Sequence, residues 1–255
     1  MGSPEMLLTN DDGIDSPGLR ALAEHLSSIG NVTVVAPVDN RSAMGRASSN
    51  EVTTHDHDLG YAIDGTPVDC VVAGIESIAP HPDVVVSGTN KGANLGMYVL
   101  GRSGTVGAAV EAAYFGVPAI ATSLYLPGDR WQEPTDVEEY AEAARATTYL
   151  VERAVGNGVF EHADYLNVNA PAPEYEDPEM VITRPSRAYD MSASREGERV
   201  TLHDNMWERM ERDALEEDPD ADRRAVAEGK VSVSPLSVPH ATEPNDALDS
   251  LAETY

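Results

Sequence analysis

The chain has 255 residues, 41% of them apolar, enough for one large α/β domain or one domain with an extension. It carries 44 acidic against 17 basic residues, a net charge of −27, which excludes the basic stripe that a nucleic-acid duplex requires. No window approaches the ~18 consecutive apolar residues of a membrane span, and a single cysteine, Cys70, excludes an internal disulfide framework and a metal site built from thiolates alone.

Residues 5–9 (EMLLT) read as a short apolar strand that runs into Asn10, Asp11, Asp12 and Gly13. Ser16 and Pro17 then give a helix cap followed by proline at the first helical position. Leu19, Leu22, Leu26 and Ile29 recur at helical spacing, with Gly30 as the expected stop. Residues 32–36 (VTVVA) form a second strand, which completes a strand–helix–strand unit of right-handed crossover. Residues 83–87 (DVVVS) are continuously apolar, as in a strand covered on both faces. After a Gly/Asn-rich loop, Val106, Ala109, Val110 and Ala113 mark a helix ending at Gly116, and 118–124 (PAIATSL) is another buried strand. Thr135 and Glu138 have capping-box spacing ahead of a long helix with Val137, Tyr140, Ala141, Ala144 and Val151 on one face. Residues 165–168 (YLNV) give a further strand. Beyond about 172 the pattern weakens into proline- and charge-rich sequence, although 230–234 (KVSVS) alternates like a half-buried strand. The expected fold is a Rossmann-like three-layer α/β/α arrangement with a mostly parallel sheet. Residues 1–171 would form the catalytic core, and 172–255 an extension packed on it and on a neighbouring subunit.

Four loops follow strands where an open α/β sheet binds ligands. An Asp-Gly pair alone reads as a turn, but Asp11 and Asp12 sit at the carboxyl end of the first strand. Adjacent carboxylates raise each other's pKa unless a cation lies between them, and hard oxygen ligands suit Mg²⁺ or Mn²⁺. The loop 39–49 (DNRSAMGRASS) carries Arg41, Ser42 and Arg46, and 88–96 (GTNKGANLG) carries Asn90, Lys91 and Asn94. In 101–107 (GRSGTVG), Ser103, Gly104 and Thr105 either serve close packing or form an anion site at a helix N-terminus. Between 41 and 102 the only basic residues are Arg41, Arg46, Lys91 and Arg102, all in these loops. So acidic a protein needs such a cationic nest, with a metal, to attract phosphate. His55-Asp56-His57 resembles a metal motif but has no third ligand at a recognisable spacing, and reads as an ordinary acidic strand. The chain has no GxSxG elbow, Walker A, CxxC or strand-linked GxGxxG, so hydride transfer and P-loop hydrolysis lack support.

In their order, 7–26 (LLTNDDGIDSPGLRALAEHL), 34–45 (VVAPVDNRSAMG), 64–71 (DGTPVDCV), 84–96 (VVVSGTNKGANLG) and 103–123 (SGTVGAAVEAAYFGVPAIATS) closely resemble the SurE survival-protein family of 5′/3′-nucleotidases. The shorter 166–171 (LNVNAP) and 229–236 (GKVSVSPL) also fit, so the resemblance covers nearly the whole chain. It implies one divalent metal held by Asp11, Asp12, Ser42 and Asn90, and a phosphate pocket that includes Asn94, Ser103, Gly104 and Thr105. It also implies homodimers or homotetramers, often with exchanged C-terminal segments. Lys230 departs from the aromatic residue usual in the last strand, and 186–215 matches loosely, which touches subunit contacts rather than chemistry.

The expected reaction is hydrolysis of nucleoside monophosphates and other small phosphate esters by metal-activated water. Asp11 and Asp12 hold the metal, the second also accepting a proton. Asn10, Arg41 and Lys91 join the substrate side, where the cations and the 103–105 N–H groups stabilise phosphoryl charge. Haloacid-dehalogenase-like covalent catalysis would need aspartates separated by one residue, whereas these are adjacent. A non-catalytic nucleotide or metal sensor is the alternative from another class. Acids spread through periodic segments fit a halophile's surface, whose repulsion is screened where the Debye length is only ~3 Å at 1 M salt. The start MGSPEM lacks the form of a signal peptide, so a cytoplasmic location is expected.

Overall fold

The computed structural model describes residues 3–79, 81–212, 214–238 and 252. Its first unit is β1 (Glu5–Thr9), α1 (Pro17–Leu26) and β2 (Asn31–Pro37). Ser16 caps α1 as predicted: its Oγ accepts the Leu19 N–H at 3.4 Å, and Pro17 supplies the preset first turn. The helix stops at Leu26, earlier than its periodicity suggests, where the Ser27 and Ser28 hydroxyls donate to the Ala23 and His25 carbonyls. Gly30 serves packing instead of ending the helix, since a Cβ there would lie 2.4 Å from the Pro4 carbonyl oxygen.

The chain continues through β3 (Thr54–His57), β4 (Gly60–Ile63) and α2 (Pro67–Ala73) to β5 (Val84–Lys91). It then forms α3 (Met97–Leu100), α4 (Gly104–Tyr114), β6 (Ala119–Leu124), α5 (Ala141–Ala154) and β7 (Tyr165–Ala170). The remaining elements are β8 (Met180–Ile182), β9 (Met191–Glu196), β10 (Arg199–Asp204), α6 (Asn205–Glu211), α7 (Asp222–Ala227) and β11 (Val231–Leu236). Nine strands make one sheet in the order β3-β4-β2-β1-β5-β6-β7-β11-β8, and β9 with β10 forms a separate antiparallel pair. From β4 to β7 every neighbouring pair is parallel. Only β3 and β11 run antiparallel to the strands they join on that central block.

Successive residues of the central strands bury in opposite cores, which is why these strands are apolar without alternation. Met6, Leu8, Val34, Val84 and Val86 pack with α1 and α5, while Leu7, Val35 and Val85 pack with α2 and α4. Each such aliphatic side chain contributes about 1.5–3 kcal/mol by leaving water. The three-layer α/β/α reading therefore holds. After β2 the chain builds the β4 and β3 side, then returns to lay β5 on the other flank of β1 and continues outward through β6 and β7. The order reverses between β1 and β5, and a crevice opens there beyond the strand ends.

Four local expectations are corrected. The capping box ahead of α5 is Asp136 with Glu139, whose carboxylate accepts the Asp136 N–H at 3.0 Å. Thr135 instead bonds the Tyr140 hydroxyl at 2.9 Å, and Ala141 lies on the exposed side. Helix α4 buries its small residues Thr105, Ala108, Ala109 and Ala112, whereas Val110 and Ala113 are only half-buried, because a smooth face lets the helix approach the sheet closely. Strand β5 runs to Lys91 through a bulge between Ser87 and Asn90, so the first half of the expected 88–96 loop is strand. Strand β11 lies between β7 and β8 with Val231 through Ser234 all buried, so it is not half-exposed. Both β8 and β11 thus extend the main sheet. Residues 239–251 and 253–255, part of the expected extension, lie outside the described residues.

Candidate active site

Asp11 and Asp12 follow β1 at the reversal point, and the three other loops tie onto them. The Arg41 N–H donates to the Asp11 carbonyl at 2.6 Å, and Asn40 Nδ2 donates to Asp12 Oδ1 at 3.3 Å. From the end of β5, the Lys91 N–H donates to Asp12 Oδ2 at 2.8 Å. From the start of α4, Thr105 Oγ1 donates to Asp11 Oδ1 at 2.6 Å. The second and fourth loops close on each other through the Gly45 N–H and the Arg102 carbonyl at 3.0 Å.

Burial dominates the electrostatics. Asp11 is only 2% exposed, and this desolvation raises its pKa against the pull of the Thr105 hydroxyl and the Gly104 and Thr105 N–H groups. Asp12 is pushed up to about 7, first by burial and then by the Asp11 charge, with the Lys91 N–H working against both. The turn at 103–105 therefore directs its donors at the Asp11 carboxylate, so the N-terminus of α4 stabilises a resident anion. Ser103 itself caps the helix by accepting the Val106 N–H at 3.1 Å. Gly104 is needed because a Cβ there would lie 2.8 Å from Asp11 Cβ and 2.9 Å from Oδ2. Gly104→Ala is accordingly expected to displace Asp11 and lower turnover about a hundredfold, the scale of a ~1 Å misplacement. Circular dichroism unchanged beside steady-state rates would show the loss to be local.

The other expected site residues divide into two groups. Asn90 stands at the end of β5, 9% exposed, and its Nδ2 donates to the Gly92 carbonyl. No donor among the described residues reaches its Oδ1, the atom that would ligate a hard cation. Ser42 is exposed on the second loop and held there by its N–H bond to Asn40 Oδ1 at 2.9 Å. Two carboxylates with an amide oxygen and a hydroxyl form an all-oxygen donor set, which fits Mg²⁺ or Mn²⁺. Among the described residues no three His, Cys, Asp or Glu side chains gather as a metal-holding group. His57 lies on the outer strand β3, its Nε2 3.3 Å from the Asp15 carboxylate.

The cationic side chains make their direct contacts with groups other than the aspartates. Arg41 pairs with Asp64 at 3.1 Å, and Lys91 Nζ donates to the Glu133 carbonyl at 2.5 Å. Arg46 pairs with Glu111 and lies over Tyr114, and Arg102 lies over Tyr98. Arg41 and Lys91 hydrogen-bond the aspartates through their backbone N–H groups, and the Lys91 ammonium also lowers the Asp12 pKa through space. Asn10 is fully buried and scaffolds the loop, its Nδ2 donating to the Gly13 carbonyl at 2.9 Å and Ser16 Oγ at 2.7 Å.

Sequence reasoning missed the shell around Asn94. Asn94 Nδ2 donates to Ser123 Oγ at 2.9 Å, and its backbone N–H donates to Asn169 Oδ1 at 2.8 Å. Its carbonyl accepts Asn167 Nδ2 at 2.9 Å and Asn169 Nδ2 at 3.2 Å. The signal was present: Asn167 and Asn169 alternate on one face of an otherwise apolar strand near its carboxyl end. Asn169→Ala leaves the buried N–H of Asn94 without its partner, the carbonyl keeping Asn167, and is expected to cost about 1–3 kcal/mol. Chemical denaturation of parent and variant in molar KCl measures it.

The family model described as "Survival protein SurE" matches residues 6–192. The chain belongs to the SurE family. Among its relatives, a protein named 5′-nucleotidase SurE from Halobacterium salinarum is 61% identical over 253 residues, spanning 99% of this chain and 98% of that one. A protein of the same name from Haloarcula marismortui is 57% identical over 259 residues, spanning 100% of this chain and 96% of that one. Both are halophilic archaea, which agrees with the salt-adapted surface read from the charge. The crystal structure of the SurE protein from Aquifex aeolicus superposes with a TM-score of 0.77 at 31% identity, covering 98% of this chain and 99% of the other. The SurE match spans all four loops that meet on Asp11 and Asp12.

Proposed function

We propose that the protein is a divalent-metal-dependent phosphomonoesterase that hydrolyses nucleoside monophosphates and other small phosphate esters. The observation that carries this reading is the pair of adjacent, buried carboxylates at the β1/β5 reversal, held by donors from three other loops. Their raised pKa values mark a site built to hold positive charge. Asp11, Asp12, Ser42 and Asn90 Oδ1 would hold one Mg²⁺ or Mn²⁺. A cation there supplies Lewis-acid polarisation of a phosphoryl oxygen and acidifies the attacking water. Asp12 would also accept the proton that the attacking water gives up. Asn94, fixed by its asparagine shell, and the Ser103 hydroxyl, which accepts the Val106 N–H and keeps its own hydrogen to donate, would orient the phosphate. The Arg41–Asp64 pair is an exposed contact worth about 0–1 kcal/mol, so an arriving phosphate competes for that guanidinium at little cost. Lys91 likewise gives up only a surface carbonyl.

Self-association belongs to the same proposal. Tyr189 and the β9–β10 hairpin project apolar side chains into solvent, with Leu202 71% exposed and Val200 54%. Residues 172–255 would thus act as an extension that packs on the 1–171 core and on a second subunit, forming a homodimer or homotetramer. Among the described residues no helix is long and apolar enough to cross a membrane, and the acidic surface supports a salty cytoplasm as the setting.

The test is phosphate release from a panel of nucleoside monophosphates with Mg²⁺, Mn²⁺ or EDTA in molar KCl. Turnover that EDTA abolishes is the expected result. Tight nucleotide binding by folded protein, without release under any metal, would replace this reading with a sensor.

A further inference from the structure

Beside the carboxylates lies a cavity of about 340 Å³, to which the site described above contributes Lys91. Lys91 and Gly92 line it on one side, and Tyr125, Trp131 and Trp207 supply aromatic walls, with Glu211 also facing it. Because the Lys91 N–H holds Asp12, the cavity begins within one residue of the carboxylate site. The chain contains two tryptophans, and both are here. In a sequence with only 5% aromatic residues, that concentration calls for a cause.

Folding accounts for part of it. Tyr125 is buried and Trp207 half-buried, their rings stacked with centroids 6.4 Å apart and planes 17° apart, against Leu95, Met210 and Val226. Trp131 has no such reason to be apolar. It stands 59% exposed on the segment 128–132, which Glu211 ties to α6 by accepting the Gly128 N–H at 2.8 Å. An exposed indole held over a preformed, ring-walled cavity next to an anion site suits a flat aromatic ligand joined to a phosphate.

We propose that this cavity is the subsite for the nucleobase, with the base stacking on Trp131 and the Tyr125–Trp207 pair closing the inner end. The proposal rests on the nucleotidase reading for its ligand class. Stacking accepts any base, since every base has a π face, so the subsite would separate nucleotides from simple phosphate esters rather than one base from another.

The two tryptophans report on the cavity directly. In EDTA, adenosine is expected to quench their emission saturably and ribose is not. Trp131→Ala is expected to weaken adenosine binding about five- to a hundredfold, the range of one base–aromatic stack, while Trp131→Phe keeps a ring and most of the affinity. With metal present, Trp131→Ala is expected to reduce the preference for adenosine monophosphate over ribose 5-phosphate by a similar factor in kcat/KM. Equal effects of Trp131→Ala on both esters would overturn the subsite and leave the nucleotidase standing. Saturable quenching by adenosine without phosphate release would do the reverse. Emission that ignores adenosine but changes with protein concentration would assign the cavity to a second copy of the chain and end the proposal.

Discussion

Asp11→Asn is expected to lower phosphate release about a thousandfold and, in EDTA, to raise the unfolding temperature. The loss follows from removing one of two charges that hold the cation, whose transition-state stabilisation of several kcal/mol converts at about 1.4 kcal/mol per factor of ten. The gain follows from burial. Asp11 is desolvated next to a second carboxylate, and its pKa is raised despite the hydroxyl and backbone donors aimed at it. An amide has nearly the same shape and no charge. Its oxygen can face the Gly104 and Thr105 N–H groups while its nitrogen faces Thr105 Oγ1, because a hydroxyl accepts as readily as it donates. Relief of about 1–3 kcal/mol is expected, which in a domain of this size is about 3–10 °C. Phosphate-release assays and thermal unfolding of the same samples test both halves. Near-parent turnover would remove the carboxylate pair from the chemistry. A lower unfolding temperature would mean that the N-terminus of α4 more than compensates the buried charge, so that Asp11 helps to hold the fold.

The sheet was legible because its central strands are apolar on both faces and each is punctuated by Pro, Gly or a cap. Ser16-Pro17 marked a helix start to the residue. Ends were harder: nothing in the periodicity of Leu26 and Ile29 shows that two serine hydroxyls terminate α1 between them. The β9–β10 hairpin and α6 were not legible at all, since exposed strands and short capped helices have no apolar stripe to reveal them. In the site, adjacency to a strand end drew attention to Asp11 and Asp12, and the loops expected around them do make hydrogen bonds to them. The orientation of Arg41 and Lys91 could not be read, because a sequence gives the charge of a side chain but not whether its head or its backbone N–H faces the ligand. The helix N-terminus at Ser103 posed the same problem in reverse. Its donors were foreseen, but that a buried carboxylate of this chain would occupy them depends on how closely Gly104 lets α4 approach β1.

Without a divalent cation the protein is expected to lose stability as pH rises from about 4 to about 7, and Mn²⁺ to stabilise it more at pH 7.5 than at pH 5. In the unfolded chain Asp12 titrates near its ordinary 3.8, and in the folded protein at about 7. Between those values the unfolded chain has released its proton while the folded state still holds it, so each step upward in pH favours unfolding. Below about 4 both states are protonated and nothing is lost; above about 7 both are ionised and the loss is complete. At 1.36 kcal/mol per pH unit, the ceiling is about 4 kcal/mol, or about 8–15 °C in unfolding temperature. A cation between the aspartates removes the cause, and it binds best where the carboxylates are ionised. Thermal unfolding in molar KCl, with EDTA or Mn²⁺, gives the curves. The surface acids titrate too, and Asp12→Asn separates them from the pair because it leaves the surface unchanged. A variant whose unfolding temperature falls with pH as steeply as the parent's would place the pH response on the surface and deny the pair its charge-holding role. A flattened curve that also no longer responds to Mn²⁺ would assign both effects to Asp12.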